Sequence, residues 1–376
     1  MSQEKRRIAV IIPKYGLVGG AEKCVQEMTE RIALNPRYEI HVLANRWIRQ
    51  SDRIIFHRIP IAAFPRYLRP ISFAWFVKRK TETMGFDLVH SHERVFRADV
   101  ITLHGMPHRA WIKQIRKKRM SLFDHATAWV ETCMVKGGRW RTILPVSHLT
   151  RDQYLQEFSI DAEKMQVIHP GVSVEKFTRD CLDARKQTRR QCGIDENDTV
   201  VLFVGMNFEI KGLDKLMSAV SMVKSMRPSE KIKLLVVGKG NTRKYSALSH
   251  KLGLENNLIF AGVLHDGIES VYNASDLFSM LSRFDTFGLT VLEAMAASLP
   301  VIVSRNVGAR DLVEEGKNGF VVDREDIPAI ASKIILLLNR KEREKFARAT
   351  RTTAMQNSWN AMAERVSQVY ESLLPG

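Results

Sequence analysis

Two carboxylates, Asp285 and Glu293, bracket a Phe287-Gly288-Leu289 turn in the segment Asp-Thr-Phe-Gly-Leu-Thr-Val-Leu-Glu. The apolar run Leu277 to Leu281 precedes it, and Ala294, Met295 and Ala297 continue an apolar helical face after it, so the segment reads as a strand-to-helix junction. A helix N-terminus presents free N–H groups and the positive end of a dipole. The amides of Phe287, Gly288 and Leu289 can therefore hold a diphosphate or a sugar hydroxyl, and Gly288 lets the backbone come close. Glu293, two turns into the helix, is placed to accept hydrogen bonds from two neighbouring hydroxyls, as a ribose presents. In the plainer alternative Asp285 caps the helix and Glu293 is solvated. Either carboxylate alone fits that alternative. Both together, with the turn between them and the strand entry Ser298-Leu299-Pro300-Val301-Ile302-Val303 behind them, favour a site.

Three further positions follow strands. Val204-Gly205-Met206-Asn207-Phe208-Glu209-Ile210-Lys211-Gly212 is a strand ending in a loop that feeds a helix near Leu213, and Lys211 can reach a phosphate there as a mobile point charge. Taken alone it reads equally well as a solvated loop lysine. Gly16-Leu17-Val18-Gly19-Gly20-Ala21-Glu22 turns the first strand into a helix, where Gly19 and Gly20 admit a donor phosphate or an acceptor close to the backbone. Glycines at such a turn can be purely geometric, and their spacing is not the dinucleotide fingerprint. His104, in Thr102-Leu103-His104-Gly105, stands at the carboxyl end of a strand, although a lone histidine is more often structural than catalytic.

The elements that position these residues alternate. Short apolar runs at Ile8–Ile12, Glu39–Leu43, Asp87–His90, Asp99–His104 and Ile143–Val146 are separated by helix-forming stretches. A second series runs through Val200–Gly205, Lys233–Gly238, Leu258–Gly262, Leu277–Leu281 and Val301–Ser304. Such alternation predicts parallel, doubly wound α/β sheets, with ligands beyond the carboxyl ends of the strands. The rhythm breaks over Gly171–Asp198, which divides the chain into an N-terminal domain 1–175 and a C-terminal domain 176–357. Helices are expected at Ile327–Leu338, Lys341–Met355 and Trp359–Leu374, and the last, within 358–376, can cross back to the first domain.

Bulk properties agree with two globular domains: 376 residues at 45% apolar content can bury two cores. No run is long enough for a signal peptide or a membrane span, which predicts a cytoplasmic protein. Cys24, Cys133, Cys181 and Cys192 lack zinc-ligand spacing, so neither disulfide nor metal is expected. The formal charge of +17 requires an anionic partner.

The Asp285–Val303 segment resembles the E-x7-E motif of family 4 retaining glycosyltransferases, with Asp285 where that family carries Glu. Met206 through Lys211 is similar to the family's Arg- and Lys-bearing diphosphate loop, but Met206 replaces the arginine, leaving Lys239 or Arg243 to compensate. Gly19-Gly20-Ala21-Glu22 resembles its glycine-rich element, and His104 its cleft histidine, whose ring contacts the donor sugar. The likeness extends along nearly the whole chain to bacterial lipopolysaccharide core glucosyltransferases. It implies a GT-B fold, two Rossmann-like domains facing across a cleft. It also implies retaining, metal-independent transfer without a cofactor, from a nucleotide sugar, UDP-glucose first, to a lipid-linked or lipopolysaccharide core acceptor. Asp285, His104 and Lys211 would then serve the chemistry, and Gly19, Gly20, Lys211, Phe287, Gly288, Leu289 and Glu293 would hold the donor. Three alternatives remain in view, the first being a glycosyltransferase of the same family with another donor or acceptor. A nucleotide-sugar epimerase would turn over donor without acceptor, and a nucleic-acid-binding protein would account for the charge but lacks any recognised binding pattern.

His108–Val135 has apolar or small residues at Ile112, Ile115, Leu122, Ala126, Trp129 and Cys133 in helical spacing, interrupted by Arg119. Arg109, Lys113, Arg116, Lys117 and Lys118 crowd its first half, and Lys78, Arg79 and Lys80 lie nearby in sequence. Either this is a core-facing helix with a solvated basic face, or it rests on an anionic membrane surface with Trp111 at headgroup level. A lipid-linked acceptor favours the second, peripheral on the cytoplasmic face of the inner membrane.

Overall fold

The computed structural model describes residues 5–17, 19–178, 182–264 and 266–374. Val18 of the glycine turn and Cys181 lie outside them. The chain divides into two compact units, one of residues 1–170 and 359–376, the other of residues 171–358.

In the first unit β1 (Arg6–Ile11), β3 (Tyr38–Ala44), β5 (Ile54–Arg58), β6 (Leu88–Ser91), β7 (Val100–Leu103) and β8 (Thr142–Pro145) form a sheet in the order β5-β3-β1-β6-β7-β8. A two-residue ladder pairs β2 (Lys14–Tyr15) with β4 (Arg46–Trp47). In the second unit β9 (Thr199–Gly205), β10 (Ile232–Gly238), β11 (Leu258–Gly262), β12 (Leu277–Met280), β13 (Val301–Ser304) and β14 (Gly319–Val322) run β11-β10-β9-β12-β13-β14. All pairs are parallel. Counted within each sheet, both follow the 3-2-1-4-5-6 order of a Rossmann unit. The order reverses between β1 and β6 in the first sheet and between β9 and β12 in the second, and ligands bind beyond the carboxyl ends of strands at such switch points.

Strand β9 is buried along its length, as a central parallel strand covered on both faces must be. Its Val201 and Phe203 join Leu216, Val220, Ile330 and Ile334 in the core of the second unit. The first unit packs Ile11, Leu43 and Ile101 against Phe73, Val77 and Met134. The helix Trp359–Leu373 belongs to this unit. Its Met362 Sδ lies 3.8 Å from Cys24 Sγ, and Arg31 Nε donates to Asn360 Oδ1 at 2.7 Å.

Residues 108–135 are not one helix. A turn at His108–Ala110 runs into a π-helix over Trp111–Arg116, which ends on Lys117 at φ 47°. A new helix, Leu122–Lys136, starts from a capping box in which Ser121 Oγ accepts from the Asp124 amide and the Asp124 carboxylate accepts from the Ser121 amide. The same carboxylate meets His108 Nε2 at 3.0 Å and Lys118 Nζ at 3.2 Å. Burial alone would raise its pKa, but the bonds from Ser121, His108 and Lys118 outweigh that and hold it well below the ordinary range. This local network competes with helix continuation and fixes the break. Among the described residues no helix is long and apolar enough to cross a membrane.

Candidate functional site

In the second unit the site is built at the β9/β12 switch point. Asn207, just beyond β9, caps the short helix Phe208–Lys211 by accepting from the Ile210 amide. Gly212 follows at φ 78°, and a Cβ there would stand 2.1 Å from the Leu281 carbonyl oxygen, so only glycine lets these loops close together. The Arg283 amide donates to Ile210 O at 2.7 Å across the same gap. The result is a direct ion pair between Lys211 Nζ and Asp285 Oδ2. Both side chains are largely buried, so Lys211 is not a solvated loop lysine.

Asp285 Oδ1 also accepts from the Phe287 amide at 3.3 Å. The helix cap proper is Gly288, at φ 91°, ahead of the helix Leu289–Ala296. Asp285 thus folds the turn rather than capping the helix. This corrects the expectation of three amides open to a ligand: the Phe287 amide is taken internally, leaving those of Gly288 and Leu289. Glu293 is not solvated but 9% exposed, and its Oε2 accepts from Tyr272 OH at 2.9 Å. Burial first, and the Glu293 carboxylate second, push the Tyr272 phenol far up, so it remains a proton donor to Glu293. Thr290 Oγ1, buried beside the turn, has no hydrogen-bond partner.

Met206, where the resembled family carries arginine, is 63% exposed at the end of β9. The Lys239 amide donates to Gly205 O at 3.2 Å, which sets Lys239 beside Met206.

The remaining sequence candidates lie in the first unit. Gly19, at φ 155°, caps the helix Gly20–Ile32, and Gly20 is its first residue. His104 follows β7, and its Nε2 lies 2.9 Å from Nδ1 of His92, which follows β6. The His92 ring packs at 4.1 Å on His90. His90 Nδ1 meets Tyr370 OH at 2.6 Å, and His90 Nε2 meets Thr102 Oγ1 at 2.7 Å. Loss of hydration pushes His90 down to about 3 and His104 down to about 4, and holds His92 well below its ordinary value. Neighbouring imidazoles add to the effect on His90 and His92. All three rings are neutral at pH 7. Among the described residues no group of three His, Cys, Asp or Glu side chains is arranged to hold a metal.

Sequence reasoning missed His92, Tyr272 and Thr290. His92 and Tyr272 come from elements distant in sequence from the residues they meet, and Thr290, inside the segment already read, is set apart only by the burial of its unpartnered hydroxyl.

Two Rossmann units of identical strand order in one chain, with a lysine–carboxylate pair and a glycine-capped helix at the second switch point, define the GT-B class of glycosyltransferase. The profile of group 1 glycosyl transferases matches residues 184–353, and that of glycosyltransferase family 4 matches residues 18–176. The chain belongs to glycosyltransferase family 4. It is 28% identical over 233 residues to the D-inositol 3-phosphate glycosyltransferase of Corynebacterium kroppenstedtii, a match covering 60% of this chain. The match spans about half of that relative, 51% of its length. The crystal structure of WaaG, a glycosyltransferase involved in lipopolysaccharide biosynthesis, superposes with TM-score 0.79 at 20% identity, over 96% of this chain and 99% of that one. Anabaena HepE, in complex with UDP and glucose, superposes with TM-score 0.73 at 19% identity, over 97% and 99% of the two chains.

Proposed function

We propose that this protein is a retaining, metal-independent hexosyltransferase that moves glucose from UDP-glucose to a lipid-linked or lipopolysaccharide core sugar. The observation that carries the reading is the Lys211–Asp285 pair at the β9/β12 switch point. A diphosphate reaching this point competes with Asp285 for the Lys211 ammonium. Lys211 then neutralises charge developing on the departing diphosphate, and Asp285, released, accepts from hydroxyls of the donor sugar. The amides of Gly288 and Leu289 add dipoles aimed at the same oxygens. Glu293, oriented by Tyr272, takes the ribose hydroxyls. His104 contacts the donor sugar. In the retaining mechanism the donor phosphate helps to deprotonate the acceptor on the same face of the sugar. The HepE complex supports UDP and glucose as donor parts, and the lipopolysaccharide role of WaaG supports the acceptor class. Isothermal titration tests the donor: UDP-glucose and UDP should bind, and GDP-mannose should not. Binding of the GDP sugar alone would overturn the assignment.

The same reading places the enzyme at the cytoplasmic face of an anionic membrane, with no nucleic-acid partner. What favours this is a set of exposed apolar side chains in the first unit, Phe64, Trp75, Leu122 and Trp129, with Arg79 5.7 Å over the Trp75 ring and Lys113 and Lys117 exposed in the same unit. Vesicle co-sedimentation decides it. Binding should require anionic lipid, weaken at high salt, and fall when Lys113, Arg116, Lys117 and Lys118 are changed to Gln. Equal sedimentation with neutral vesicles would remove the membrane from the account.

A further inference from the structure

Beyond the donor motifs, the first unit holds a cavity of about 690 Å³ at the carboxyl ends of β1, β3 and β6, lined by Lys14, Arg46, Arg66, Arg69, Glu93 and Arg94. Its charge is unbalanced. Arg94 is neutralised, with Nε 2.9 Å from buried Glu131 and Nη1 3.2 Å from Glu93, which uses up the one acid of the lining. Lys14, Arg46, Arg66 and Arg69 have no carboxylate within ion-pair reach among the described residues.

All four of these cations sit where the fold itself opposes them. Lys14 and Arg46 are register partners in the β2–β4 ladder, and like charges directly opposite each other in a ladder are destabilising. Arg66 and Arg69 flank the start of the helix Leu68–Met84, whose first turn carries no acid, at the end where the dipole repels cations. Arg66 is also steadied 5.8 Å over the ring of Phe123, another wall of the cavity. Two independent elements thus bring uncompensated charge to one concave space. Asn45, His108 and Thr127 supply polar groups alongside.

We infer that this cavity binds a phosphorylated sugar, the phosphate lying between the Lys14–Arg46 pair and the Arg66–Arg69 pair and the hydroxyls meeting the polar wall. A phosphate monoester fits better than a uronate because its second charge and three oxygens can engage both pairs, and guanidinium forks match its geometry. Only in naming this ligand the acceptor does the inference rest on the transferase reading above.

The test is titration of the full chain, at physiological salt, with glucose 6-phosphate, inorganic phosphate, glucose, glucuronate and UDP. Glucose 6-phosphate should bind, with inorganic phosphate competing, glucose not binding and glucuronate binding weakly. Lys14→Gln with Arg46→Gln, and separately Arg66→Gln with Arg69→Gln, should each weaken it roughly tenfold or more, with UDP affinity unchanged as the control for folding. Displacement of glucose 6-phosphate by vesicles containing phosphatidic acid, itself a phosphate monoester, but not by a short-chain soluble form of the same lipid, would assign the phosphate to a membrane-borne acceptor. Displacement by neither would assign it to a soluble one. Equal binding of glucose and glucose 6-phosphate, or wild-type affinity in both double variants, overturns the inference. Loss of UDP binding by the wild-type chain, with phosphate-ester binding intact, would instead sink the donor reading.

Discussion

Nδ1 of His92 lies 2.9 Å from Nε2 of His104, and the other nitrogen of His92 is buried without a partner. One of the two facing nitrogens must carry the proton. If it were His104 Nε2, His92 would have to carry its own proton on the buried, unpaired Nε2, and an orphaned buried N–H is costly. An orphaned lone pair is cheaper. His92 therefore donates from Nδ1, and His104 is held as the Nδ1–H tautomer, a hydrogen-bond donor toward anything at the end of β7. Nitrogen-15 NMR of histidine-labelled protein at pH 7 should show His104 protonated at Nδ1, and His92→Phe should release it to a mixture of tautomers. A wild-type His104 carrying its proton on Nε2 would remove His92 from a positioning role.

The same cluster sets a pH dependence. His90 and His104, lowered to about 3 and about 4, and His92, lowered further than an exposed ring, bind protons less readily when folded than when unfolded. Between about pH 6.5 and the folded values, the unfolded chain holds more protons, so stability rises with pH in that window. The stability of the first unit should be flat above about pH 6.5 and fall steadily below it. Urea denaturation at pH 7 and pH 5 checks this, and His104→Asn should lessen the difference. An unaltered pH slope in that variant would mean that His104 titrates normally.

Lys211 and Asp285 come from loops far apart in the chain and neutralise each other in the absence of a competing anion. Lys211→Ala should therefore weaken UDP by about 1.5–3 kcal/mol while leaving uridine nearly unchanged. Asp285→Asn should do the reverse at the binding step. It frees Lys211 for the diphosphate, so UDP should bind as well or better while turnover of UDP-glucose falls. Equal losses of UDP and uridine in Lys211→Ala would mean a structural rather than a phosphate-directed lysine.

Each half of that site was legible in the sequence, because each is a strand end followed by a glycine and a helix, and local physics fixes such junctions. The contact between the halves was not, since it depends on β9 and β12 being neighbours. His92 was invisible for the same reason: the β6–β7 register, His90 opposite Val100, carries it beside His104. The strand series omitted β5 and β14, both sheet edges, where half-exposed residues or a leading glycine blur the pattern. Periodicity failed over 108–135 because it senses apolar spacing and not the Ser121–Asp124 cap that restarts the helix.

Glu293 and Tyr272 separate charge from orientation. Glu293→Gln should weaken uridine and UDP alike, by about 1.5–3 kcal/mol if a ribose hydroxyl loses a charged acceptor. Tyr272→Phe keeps the carboxylate but removes the bond that aims it, so its effect on nucleotide affinity should be in the same direction and smaller. Fluorescence titration with both ligands measures this. Unchanged affinity in Glu293→Gln would leave the glutamate as a buried structural partner of Tyr272.

Ser298 holds a backbone conformation that suits another residue. The helix Leu289–Ala296 closes with the Leu299 amide bonded to Ala294 O and the Ser298 amide to Met295 O, both at 2.9 Å, which forces Ser298 into the left-handed region at φ 60°. This is the helix-ending motif whose left-handed position is usually glycine. A side chain there costs about 1–2 kcal/mol, while glycine costs about 0.5–1 kcal/mol in lost chain freedom. Ser298→Gly should therefore stabilise the second unit by up to about 1 kcal/mol, raising its Tm by roughly 2–4 °C. Ser298→Ala keeps the Cβ and should gain nothing. Thermal denaturation of both variants separates backbone strain from loss of the hydroxyl, because strain relief predicts a gain for glycine alone. If Ser298→Gly proved no more stable than Ser298→Ala, the loop would carry Ser298 without strain.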